Sequence, residues 1–162
     1  MALALTRDPS DESIAQARDE LIATRPTAIN LRWAIDRVTD AVSACRSDER
    51  AEAARNEAIV ICNEDVACCE AIGNHGLAIL ENLAESKAGR PIQILTHCNA
   101  GWLATVDWGT ALAPIYKAHA AGLDLHVWVD ETRPRNQGSR LTAFELREQG
   151  IPHTVIDRKS VV

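Results

Sequence analysis

The sequence predicts an α/β protein, with an all-helical N-terminal part followed by the first half of a parallel sheet. Three observations carry this. Up to about Gly89 the chain is Ala-rich, and its apolar residues recur at helical spacing. From Pro91 onward, short apolar runs alternate with helical stretches across short connections, the pattern of strands joined by crossover helices. The chain has 162 residues, 46% hydrophobic and 25% charged, which is the balance of a globular protein of about one domain.

Each element has a local reason. Pro9-Ser10-Asp11-Glu12 opens a first helix, with acids in its first turn where they favour the helix dipole. That helix must stop before Pro26, because a residue preceding proline avoids the α region. A second helix starts near Thr27, and its apolar stripe runs through Leu31, Ile35, Val38, Val42 and Cys45. A third starts near Ser47-Asp48-Glu49 and runs to about Ala84, with a break or kink expected at Gly73 and Gly76. Beyond Pro91, Ile92–His97 reads as a strand and Thr105–Ala121 as a helix closed by Gly122. Leu123–Val129 reads as a second strand, Leu141–Gln149 as a helix closed by Gly150, and Ile151–Ile156 as a third strand. Three strands amount to the opening half of a doubly wound, Rossmann-like sheet, so the sheet is expected to be incomplete.

Charge and composition exclude several functions. The net charge is −6, and residues 1–90 hold ten basic against sixteen acidic side chains. Nonspecific nucleic-acid binding needs a basic footprint, so no nucleic-acid partner is expected. The longest stretch free of Asp, Glu, Lys and Arg, Pro91–Val106, is interrupted by His97, Asn99 and Gly101, so no membrane span is expected. The N-terminus lacks a basic region and a long apolar core, so a secretory signal is not expected either. Five cysteines without framework spacing then read as reduced thiols in a cytoplasmic protein.

Ligands of open α/β sheets gather beyond the carboxyl ends of the strands. Cys98 falls there, where the first strand meets Asn99-Ala100-Gly101. It reads either as a reactive thiol beside turn amides or as an inert, buried strand-end cysteine. Asp130–Arg140, after the second strand, is dense in carboxylates, guanidinium forks and a side-chain amide, groups that hold a polyol or phosphate; it reads equally as a solvated loop. Arg25 precedes a helix and is placed to clamp an anion, although a lone arginine there also serves structure alone. Cys62, Cys68, Cys69 and His75 lack the spacing of a zinc knuckle, and small core cysteines are the better account, so no metal site is assigned.

Three strings in combination are far more specific. They are Leu95-Thr96-His97-Cys98-Asn99-Ala100-Gly101 with Gly109-Thr110-Ala111-Leu112; Asp130-Glu131-Thr132-Arg133-Pro134 through Gln137-Gly138-Ser139-Arg140-Leu141-Thr142-Ala143; and Arg25-Pro26-Thr27-Ala28-Ile29-Asn30-Leu31. Together they resemble the methylthioribose-1-phosphate isomerases of methionine salvage, within the wider family that includes the related subunits of translation initiation factor 2B and the ribose-1,5-bisphosphate isomerases. The resemblance spans residues 20–156. It implies an aldose–ketose isomerase acting on a phosphorylated sugar, 5-methylthioribose 1-phosphate, with no metal or organic cofactor and as a homodimer at full length. By the same resemblance, Cys98 matches the cysteine that stabilises the transition state, Arg25 a phosphate- or substrate-binding arginine, and Gln137 a substrate-binding glutamine.

The change of texture near Gly89-Arg90-Pro91 divides the chain into a helical N-terminal region over 1–89 and an incomplete Rossmann-like α/β domain over 90–156, and the resemblance sets apart a non-native tail over 157–162. Two of the family's strings are absent from these 162 residues. One is the Arg-Gly-Ala-Pro-Ala-Ile-Gly phosphate cradle, expected upstream. The other is the Gly-Asp element that carries the catalytic aspartate, expected downstream. The tail departs from the family pattern; GAT CGG AAG AGC GTC GTG followed by TAG would encode it, which reads like a sequencing adapter. The expectation is therefore a chain cut at both ends and inactive alone.

Overall fold

The computed structural model describes residues 1–87 and 89–157. The expected non-native tail lies outside the described residues apart from Asp157. The chain divides into two compact units, Met1–Glu64 and Asp65–Val162, with the boundary inside one long helix. The change from helices to alternating strands and helices comes later, between the end of that helix at Ser86 and the first strand at Ile92.

The first unit holds α1 (Ala2–Arg7), α2 (Asp11–Thr24), α3 (Ile29–Ser43) and the first part of α4 (Arg50–Ser86). The Ser10 side chain caps α2 by accepting from the Ser13 N–H at 3.2 Å, and α2 ends at Thr24, short of Pro26 as expected. Ile35, Val38 and Val42 of the predicted stripe are buried along α3. Val38 and Val42 join Leu5, Ile14 and Ala54 in one core. Helix α1 was not anticipated: six residues are too few to display a period, and the helix is secured by burying Leu5. Arg37 ties α3 to α4 through Glu57 at 2.5 Å and through Glu64, and these carboxylates raise its pKa further.

The second unit takes the rest of α4, then β1 (Ile92–His97), a 3₁₀ turn at Trp102–Ala104 and α5 (Ala113–Ala120). It continues with β2 (Leu125–Asp130), a π-helical turn at Gly138–Thr142, α6 (Ala143–Glu148) and β3 (His153–Ile156). The strands are parallel in the order β1-β2-β3, with Ile92 opposite Leu125, His97 opposite Asp130 and Asp130 opposite Ile156. Two like-handed crossovers in one direction put both helices on one face of the sheet. Ile115 and Tyr116 of α5 and Leu146 of α6 accordingly share a core with Ile92, Leu125, Val127 and Val129. Leu77, Leu80 and Ala84 of α4 pack against the same core.

Several expectations need correction. α4 runs through Gly73 and Gly76 without a break. A Cβ on Gly76 would lie 2.4 Å from Pro114 Cγ, and one on Gly73 2.8 Å from Lys117 Cε, so these glycines admit α5 rather than end a helix. The predicted helix Thr105–Ala121 forms only from Ala113, because Trp108 (φ 66°) and Gly109 (φ 79°) adopt left-handed backbone that no α-helix accommodates. The helix expected at Leu141 instead opens as the π turn at Gly138. Cys62 and Cys68 are exposed rather than core residues; only Cys69 is buried, and burial, then Asp65, pushes its thiol pKa up.

Candidate functional site

The carboxyl ends of β1 and β2 bring the polar residues of the second unit together. His97 and Asp130, the last residues of their strands, stand opposite each other in the sheet register, and His97 Nδ1 lies 2.7 Å from Asp130 Oδ2. The His97 side chain is 58% exposed and the Asp130 side chain 11%. Facing a carboxylate, Nδ1 carries the ring hydrogen and donates it, which leaves Nε2 available for a further partner. The other carboxylate oxygen of Asp130, Oδ1, and Thr132 Oγ1 are buried without a hydrogen-bond partner. Unsatisfied polar atoms of this kind are uncommon in a folded interior.

Cys98 follows directly and turns the chain out of the sheet with φ 63°, a left-handed conformation that costs an ordinary side chain about 1 kcal/mol or more. Its carbonyl accepts the Thr142 hydroxyl at 2.5 Å, and its half-buried thiol donates to Gln137 Oε1. Two of the three residues singled out from the sequence, Cys98 and Gln137, are thus in contact. The third, Arg25, is an exposed residue of the first unit at the end of α2, where its carbonyl accepts the Ala28 N–H at 3.0 Å.

The loop after β2 is pinned at its base. The Glu131 carboxylate accepts the backbone N–H groups of Gly138 and Ser139, each at 3.0 Å. Burial opposes its charge, but hydrogen bonds from Ser139 and Gly138 outweigh that and hold its pKa below the ordinary carboxylate value. Gly138 is required there, since a Cβ would lie 2.8 Å from the Asp130 carbonyl oxygen. The anchored loop forms one wall of an open cleft of about 940 Å³, lined by His97, Glu131, Arg133, Arg135 and Gln137 among others. Guanidinium groups, an amide and an imidazole around one cleft suit a ligand carrying hydroxyls and negative charge.

Behind Cys98 lies a second network that sequence reading missed. Glu145 of α6 is fully buried. Its Oε1 accepts Asn99 Nδ2 at 2.8 Å and the Leu103 N–H at 3.2 Å. Its Oε2 accepts the Trp102 N–H at 2.8 Å and the Tyr116 hydroxyl at 2.5 Å. Burial, then Glu145, raises the Tyr116 pKa, so the phenol stays a donor. Asn99 Nδ2 also donates to Thr142 Oγ1 at 3.2 Å. In sequence, Glu145 is one more charge on a short helix, and only its burial sets it apart. The pairing of His97 with Asp130 was equally hidden, because it needs the strand register.

Fold and site together define an α/β protein with a polar small-ligand cleft at the carboxyl ends of parallel strands. The chain belongs to the Initiation factor 2 subunit family, whose model matches residues 3–161. The methylthioribose-1-phosphate isomerase of Rhodospirillum rubrum is 62% identical to it over 161 residues, covering 96% of this chain and 41% of the relative. The isomerase of the same name from Acidiphilium cryptum is 62% identical over 156 residues, covering 96% of this chain and 42% of the relative. The chain therefore spans about two fifths of the length of these relatives. Among solved structures, the 5-methylthioribose 1-phosphate isomerase of Pyrococcus horikoshii superposes with a TM-score of 0.79 at 34% identity, over 98% of this chain and 45% of that one. Subunit delta of translation initiation factor eIF-2B from A. fulgidus superposes with a TM-score of 0.78 at 38% identity, over 99% and 47%.

Proposed function

We propose that these residues form part of an aldose–ketose isomerase that converts 5-methylthioribose 1-phosphate to 5-methylthioribulose 1-phosphate in methionine salvage. The observation that carries the reading is the contact of Cys98 with Gln137 at the end of β1, in a chain 62% identical to a methylthioribose-1-phosphate isomerase.

The reaction moves a carbonyl from C1 to C2. The anomeric phosphate blocks simple ring opening, so the site must promote opening and then move hydrogen between the two carbons. That calls for an acid–base group, a group that tolerates charge near C1 and C2, and cations on the phosphate. Cys98 stabilises the transition state beside the reacting carbons, Gln137 holds substrate oxygens and orients the thiol, and Arg25 binds the phosphate. The aspartate that completes the chemistry belongs to the family's Gly-Asp element, supplied by the full-length protein. The reading carries with it a cytoplasmic homodimer that needs no metal or organic cofactor, with a helical region over 1–89 and the cysteine-bearing α/β domain over 90–156.

Two other readings make different predictions. A ribose-1,5-bisphosphate isomerase would share the cysteine but need a second phosphate site. A non-catalytic regulatory subunit is favoured by the likeness to the eIF-2B delta subunit. A substrate panel on the full-length protein separates them. The expected result is turnover of 5-methylthioribose 1-phosphate in clear preference to ribose 1,5-bisphosphate. The reverse preference favours the second reading, and no turnover of either favours the third.

A further inference from the structure

We propose that Glu145 is a positioning residue for Cys98: a buried carboxylate that sets the course of the chain from Asn99 to Leu103 and thereby the direction of the thiol. The proposal rests on the isomerase reading for its kinetic consequence, but not for its geometry.

Glu145 has 0% exposure, and its four hydrogen-bond partners are neutral donors. Burying a carboxylate without a cation is costly, and a residue present only to fill space behind α6 would be apolar. Four hydrogen bonds to one carboxylate offset that cost, since bonds to a charged acceptor are about twice as strong as neutral ones. What matters is where the donors come from. Three of the four belong to Asn99, Trp102 and Leu103, within five residues of Cys98. The amides of Trp102 and Leu103 are the first of the 3₁₀ turn, groups left without a partner inside the turn itself.

The same network reaches Cys98 from its other side. Asn99 Nδ2 bridges Glu145 Oε1 and Thr142 Oγ1, and the Thr142 hydroxyl donates to the Cys98 carbonyl. The carbonyl of Cys98 and the side chain of the next residue are therefore both tied to the turn and helix that carry Thr142 and Glu145. A residue at φ 63° keeps that conformation only where its surroundings enforce it, and these bonds supply the enforcement. Fixing the peptide fixes the Cα–Cβ direction, and with it the approach of the thiol to Gln137. Glu145 itself touches neither Cys98 nor the cleft, so its effect passes through the loop.

Every acceptor position of Glu145 faces a hydrogen, and only an acceptor-only group satisfies all four. Glu145→Gln keeps the size and sets an NH2 against two donors. The test measures kcat and KM of the full-length protein, its melting temperature, and alkylation of Cys98 by iodoacetamide read by peptide mass spectrometry. Exposed Cys62 and Cys68 serve as internal references.

Expected for folded Glu145→Gln is a fall in kcat of at least tenfold, KM within twofold, and an altered Cys98 alkylation rate against unchanged references. If Glu145→Gln fails to fold, Asn99→Ala carries the test by removing one donor, and kcat lowered at least fivefold at unchanged KM is the expected result. The proposal is overturned if kcat stays within twofold of wild type, if Cys98 alkylates at the wild-type rate, or if kcat falls only in step with the folded fraction. A wild-type protein without isomerase activity would count against the isomerase reading alone, since the alkylation comparison tests Glu145 without turnover.

Discussion

Cys98→Ser in the full-length protein lowers kcat/KM for 5-methylthioribose 1-phosphate at least tenfold, equivalent to about 1.4 kcal/mol of barrier. Serine is nearly isosteric and still donates to Gln137 Oε1, so loop and cleft are expected to persist. What changes is the sulfur, a polarizable atom with a far more acidic hydrogen than a hydroxyl. A loss in kcat with little change in KM is therefore expected, since an interaction made only in the transition state acts that way. Steady-state kinetics of the purified variant beside the wild type provide the check. Unchanged kcat/KM would make Cys98 an ordinary strand-end thiol with no part in the transition state.

The largest stability effect is expected at Gly101. Gly101→Ala destabilises the fold by about 3 kcal/mol, the upper part of the usual range for forcing atoms into a filled interior. Backbone strain is not the reason, because Gly101 sits at φ −96°, ψ −163°, extended geometry that alanine adopts freely. The obstacle is Glu145: an added Cβ would lie 1.7 Å from its Oε2 and 2.5 Å from its Cδ. Glu145 cannot withdraw without releasing four donors, and on the other side a Cβ on Gly109 would already lie 2.4 Å from the Gly101 backbone. Gly122→Ala is the natural comparison. Nothing lies within 4 Å of its added Cβ, and only the left-handed φ of 80° opposes it, at about 1 kcal/mol. Denaturant midpoints of the two variants are expected to fall in that order, and equal midpoints would contradict the steric account.

Some elements were legible in the sequence and others were not, for definite reasons. β1 occupies the apolar run Ile92–His97, and α2 ends where Pro26 required, because both signals are local. The stretch from Thr105 to Leu112 looked helical because its composition allows it. Its path is instead set by the close approach of Gly109 to Gly101 and by Thr110 and Leu112 amides bound to the Ala100 carbonyl. Gly73 and Gly76 punctuate a sequence read in isolation, whereas in the fold they make room for α5. The site divides in the same way. Cys98 stood out by its place at a strand end, and spacing left its role open until the family strings were read together. The pairing of His97 with Asp130 depends on strand register, and the role of Glu145 on three-dimensional burial, neither of which a single sequence displays.

Ligand protection reads most directly whether the thiol of Cys98 faces the bound sugar phosphate. The full-length protein is treated with iodoacetamide with and without saturating 5-methylthioribulose 1-phosphate, and each cysteine is followed by peptide mass spectrometry. The ligand is expected to slow alkylation of Cys98 at least tenfold while the exposed Cys62 and Cys68 react as before. Alkylation of Cys98 at the same rate with and without saturating ligand would contradict that orientation.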